Sequence, residues 1–112
     1  MENTLTDSNV KIQSLTIVAN RWFDRTYGNT YHSVRVYGDN ELIGENPYSY
    51  GYGDQYIQTA FEILQERGYF PKTGERLKSG IGRDWYEFTE YRREHREQFL
   101  IDCVYVTRKK DL

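Results

Sequence analysis

The chain has 112 residues, enough for one domain around a single core. A net charge of −2 excludes the global positive field that draws proteins to nucleic acid, and one cysteine excludes an intrachain disulfide or a cysteine zinc site. Hydrophobic residues make up only 38% but aromatics 16%, with 11 tyrosines, so much of the apolar area carries a hydroxyl that tolerates water.

Residues 1–10 are mostly polar and read as a flexible N-terminus, which leaves 11–112 as a single α+β domain. The run KIQSLTIVANRWF, 11–23, is rich in β-branched and aromatic residues and predicts a strand. DRTYGN then carries a turn at Gly28-Asn29. TYHSVRVY alternates, placing His32, Val34 and Val36 on one face and Tyr31, Ser33, Arg35 and Tyr37 on the other. Gly38-Asp39-Asn40 makes a second tight turn into ELIGENPY, a third strand whose end Pro47 marks. These three strands form an antiparallel meander.

After the loop SYGYG the period changes. In DQYIQTAFEILQER, Ile63, Tyr56, Ala60, Leu64, Ile57 and Phe61 fall on one side of a helix. Asp54 stands at its N-cap, Gly68 at the residue after its end, and Pro71 just beyond. PKTGERLKSGIGR, 71–83, is an exposed connector. DWYEFTEYRREHRE sets Trp85, Phe88, Tyr91, Arg92 and His95 opposite Glu87, Glu90, Glu94 and Glu97 if helical. A strand stays open for its first half, but the Glu/Arg spacing favours the helix. QFLIDCVYVT closes the domain as a strand, with Phe99, Ile101, Cys103 and Tyr105 on one face. The order β-β-β-α-α-β implies an antiparallel sheet of four strands with both helices packed on one face.

The chemistry indicated is binding rather than catalysis. His32 and His95 lack metal-ligand spacing, and no phosphate-binding loop, nucleophile elbow or carboxylate pair is present, so no enzyme activity, metal or cofactor is expected. In the first hairpin, Arg21, Trp22 and Arg25 precede the turn, and His32 and Arg35 follow it. Arginine forks hold phosphate and aromatic rings stack on bases, so these residues are candidate ligand contacts, with Arg21 and Arg35 sharing a phosphate. Tyr50 and Tyr52 in the glycine loop are candidates for stacking, although a packed turn capped by Asp54 is the stronger reading of that loop. Residues 71–112 hold 10 Lys and Arg against 8 Asp and Glu, and Arg92 and Arg108 belong to the basic stretches there. A charge run of this kind is also what a solvated helix face looks like.

RWFDRTYGNTYHSV, YGYGDQYIQTA and REHREQF with the RKKDL ending resemble a family of small conserved proteins of tailed bacteriophages, over roughly residues 11–112. The resemblance implies a phage product acting in the cytoplasm of the bacterial host. It transfers no catalytic residues. Its layout is similar to that of the Thoeris anti-defence sponges, which are β-sheet and helix proteins that assemble as oligomers. The expected function is therefore sequestration of a small nucleotide-type immune signal by a homo-oligomer. The alternatives are an inhibitor docking on a host defence protein such as a CRISPR effector, and a modest nucleic-acid binder.

Overall fold

A computed structural model gives the fold, with the backbone described for residues 5–7, 10–12, 14–51 and 53–112 and the side chains for 14–51 and 53–112. Two three-residue strands, β1 (Leu5–Asp7) and β2 (Val10–Ile12), pair antiparallel as a separate small sheet, in a stretch whose sequence alone suggested a flexible end and the start of the first long strand. The meander follows as β3 (Leu15–Asp24), β4 (Asn29–Gly38) and β5 (Glu41–Tyr50). Asp39 and Asn40 both take positive φ, 48° and 72°. That pair of left-handed residues matches the twist of a two-residue hairpin. The Asp39 carboxylate also accepts from the Ser14 N–H and hydroxyl, at 2.9 and 3.1 Å, which ties the turn to the start of β3.

β5 continues through Pro47 to Tyr50 instead of ending at the proline. It is an edge strand, its pairing with β4 slips twice, and a missing N–H costs little there. β6 (Phe99–Val106) completes the sheet in the order β5-β4-β3-β6. The sheet is mixed, which corrects the purely antiparallel expectation. The helical segment returns the chain to the Leu15 end of β3, so Phe99 pairs with Leu15 and β6 runs parallel to β3 up to Trp22–Val106.

Helix α1 (Gln55–Glu66) buries Tyr56, Ile57, Ala60, Phe61, Ile63 and Leu64 against Leu15, Ile17 and Ala19 of β3 and Val34 and Val36 of β4. Each such aliphatic side chain contributes about 1.5–3 kcal/mol on burial. Gly44 permits the close approach on the β5 side, since a Cβ there would stand 2.4 Å from Cγ2 of Ile63. The helix ends as its sequence indicates. Gly68 has φ 86°, its N–H donates to Gln65 O, and the Tyr69 N–H reaches back to Leu64 O. Its start differs, because Asp54 occupies the cap position without a side-chain capping hydrogen bond.

Helix α2 (Arg83–Glu94) settles the open choice for the aromatic segment in favour of the helix. Phe88 is its one fully buried residue, set 4.5 Å from Phe61, 5.0 Å from Phe70, 5.7 Å from Trp85 and 6.1 Å from Phe99 between ring centroids. Asp84 secures the connector by accepting from the Thr73 N–H and hydroxyl and from the Gly74 N–H, and these bonds hold its carboxyl below the usual range. Among the described residues no helix is long and apolar enough to cross a membrane.

Candidate functional site

The helices do not cover the sheet evenly. On their face β3 and β4 bury every apolar side chain from Leu15 to Ala19 and from Val34 to Val36, whereas Phe99, Ile101 and Cys103 of β6 stay half-buried. A groove of about 570 Å³ opens there between α2 and β6, lined by Thr89, Arg92, Arg93, Arg96, Phe99 and Ile101. Three arginines thus line the groove beside an apolar floor. Arg93 is neutralised by Glu90 one turn earlier, while Arg92 and Arg96 make no ion pair among the described residues. Arg92 and Arg93 also lie in the last turn of α2, where positive charge complements the helix dipole.

The same face continues along β6 to Arg21. That residue pairs with His32 on β4 and Tyr105 on β6. Its guanidinium lies 4.5 Å from the Tyr105 ring centroid and 5.6 Å from that of Tyr56, and Nη1 donates to Gly53 O at 2.8 Å. Burial pushes the Cys103 thiol upward, and the charge of Arg21 pulls it the other way. Burial likewise raises the Tyr56 phenol, with Arg21 and Arg92 both opposing the shift.

His32 is a packed residue. Its ring is fully buried, with Nδ1 3.2 Å from Gly51 O and Nε2 2.7 Å from the Thr59 hydroxyl. A carbonyl only accepts, so Nδ1 carries the proton and Nε2 accepts from Thr59 in the neutral ring. Burial holds its pKa below 6.5, and the bond to Gly51 opposes that shift without reversing it. The histidine therefore ties the glycine loop to α1 and is not free for a ligand.

Arg21 and Arg35 do not share a phosphate. Arg21 faces the helices, whereas Arg35 pairs in register with Val18 on the opposite face and forms an exposed ion pair with Glu45 at 3.4 Å. Both residues are odd-numbered, but antiparallel register pairs position 21 with 32, so odd positions on β3 and β4 point to opposite sides. Trp22 and Tyr50 stand with Arg35 on the open face. Arg25 is exposed in the hairpin turn, and Arg108 pairs with Asp111 at 3.1 Å. Tyr52 lies outside the described residues.

Of the residues singled out from sequence, only Arg92 enters the groove, with Arg21 further along the same face. Phe99 and Ile101, which line the groove, were not singled out from sequence. Their signal was present in the apolar face of the last strand and the arginines of α2, but joining them requires the position of β6 beside β3. Comparison of the chain with protein-family models, curated proteins and solved structures finds no match.

Proposed function

We propose that this chain is a non-catalytic protein that captures a small nucleotide-type anion in the groove between α2 and β6. One observation carries the reading: Arg92 and Arg96, unpaired among the described residues, stand over an apolar floor of Phe99 and Ile101. Guanidinium groups bind phosphate oxygens through paired N–H donors, and clustered unneutralised arginines repel one another until an anion sits between them. The apolar floor suits a base or sugar face, and the volume is within the range of small-molecule sites. Cys103, on the same strand as that floor, has a thiol that burial pushes upward, away from the reactive thiolate. The resemblance of GNTYHSV and YGYGDQY to phage proteins supports reading such capture as an event in an infected bacterium, where removing a nucleotide signal would blunt host defence.

The test is mass spectrometry of small molecules released by heat from protein isolated from phage-infected cells. Wild type should release a phosphorylated species of nucleotide size. Protein carrying Arg92→Gln with Arg96→Gln should release roughly tenfold less or lower still, as expected for loss of charge-assisted bonds, with an unchanged ligand-free melting temperature. Equal release from both proteins, or no phosphorylated species from wild type, would overturn the proposal.

A further inference from the structure

The open face of the sheet holds a second arrangement that the groove does not use. Trp22, Tyr31 and Tyr48, from β3, β4 and β5, stack in series, with centroid separations of 5.9 and 4.9 Å and interplanar angles of 27° and 13°. Tyr50 meets Tyr31 edge-on at 5.6 Å. Tyr48 and Tyr50 remain 44% and 62% exposed, so the outer end of this array is available to solvent. The chain beyond β6 folds back across the same face. Lys109 Nζ lies 4.9 Å over the Tyr48 ring, and Asn20 Nδ2 donates to Asp111 O at 3.4 Å.

Charge around the array is positive in balance. Arg35 is offset by Glu45 and Arg108 by Asp111, whereas Arg25, Lys109 and Lys110 make no ion pair among the described residues. The Asp24 carboxylate accepts from the Thr26 and Tyr27 N–H groups but keeps its charge, so the three unpaired cations face two carboxylates, Asp24 and Asp102 of β6. Exposed rings that offer π-faces, bordered by cations that are not neutralised, match the chemistry of unpaired bases on a phosphate backbone. An acidic protein surface would also satisfy the cations, but a nucleic-acid strand brings a flat ring with every charge.

We propose that this face binds single-stranded nucleic acid, with bases stacking on Tyr48 and Tyr50 and phosphates held by Arg25, Lys109 and Lys110. Lys109 occupies the ring that a base would take. On binding, its amine moves to a phosphate and the base replaces it over Tyr48. A duplex keeps its base faces hidden and has no comparable fit. This proposal is independent of the groove, which lies on the other side of the sheet.

Fluorescence anisotropy with a labelled oligothymidylate of about 15 nucleotides, in about 50 mM salt, tests it. Wild type should bind, and three phosphate contacts give a slope of log affinity against log salt near about −2. Tyr48→Ala with Tyr50→Ala should weaken binding by roughly tenfold or more, while Tyr48→Phe, which keeps the ring, should retain it. Arg92→Gln with Arg96→Gln should bind like wild type. No binding, equal binding of a duplex of the same length, or full affinity in the double tyrosine variant would overturn the proposal. Loss of binding in the groove variant would also overturn it, as would preference for polyglutamate, which would assign the face to an acidic protein.

Discussion

Replacing Phe88 with alanine should release α2 from the sheet. Phe88 is the only fully buried side chain of that helix, and its ring packs near Phe61 of α1, Phe70 just after α1, and Phe99 of β6. Truncation of a buried phenylalanine costs about 3–5 kcal/mol, the lost transfer energy plus the cavity left behind. Unfolding entropy scales with length, so at 112 residues each kcal/mol shifts the melting temperature by about 4 °C, for a total fall of about 12–20 °C. Against a typical domain stability of about 5–15 kcal/mol, this loss is a large share of the total. Circular dichroism melts at 222 nm, together with amide exchange of α2, read the effect. Exchange should accelerate in α2 more than in β3 and β4, because α1 covers those strands directly. A melting temperature lowered by less than about 4 °C would refute the idea that this ring anchors the helix presenting Arg92.

Other outcomes follow from single contacts. Because burial depresses the folded-state pKa of His32, the unfolded chain takes up the proton more readily, so this group's stability contribution is complete above about pH 6.5 and declines below it. The slope is at most about 1.4 kcal/mol per pH unit, and urea midpoints across that range should show it in wild type and lose it in His32→Gln. Gly44→Ala forces a methyl against Ile63 and should lower stability by about 1–3 kcal/mol in chemical denaturation; an unchanged midpoint would mean that α1 sits further from β5. Arg35→Gln breaks an exposed pair and should cost less than about 1 kcal/mol in the same assay, with ligand capture in the groove unaltered.

The meander was legible because its signals are local. Alternation in 30–37 set His32, Val34 and Val36 inward, and the residues at 39–40 tolerate the left-handed backbone that a tight hairpin needs. Helix α1 was legible from its apolar periodicity and from Gly68 beyond its end, whereas α2 was favoured only by its Glu/Arg spacing, with a strand left open for its first half. The direction of β6 was not legible, because it depends on which end of the sheet the helices return the chain to, and no residue in QFLIDCVYV encodes that. The hairpin arginines show a related limit. Their proximity along the chain was evident, but the face each occupies depends on cross-strand register, which sets Arg21 opposite His32 and sends Arg35 to the far side. The groove was hidden for the same reason as β6. Its arginines and its floor come from different elements and meet only through the fold.

The central proposal, an anion site between α2 and β6, is tested most directly by a two-dimensional 1H–15N NMR titration of the wild-type protein with ADP, followed by the same titration of Arg92→Gln with Arg96→Gln. The expected result is saturable shifts at Arg92, Arg96 and the amides of Phe99 to Ile101, with small changes at Trp22 and Tyr31 across the sheet, and loss of the response in the variant. Shifts centred on the Trp22–Tyr31 stack, or an identical response in the variant, would contradict it.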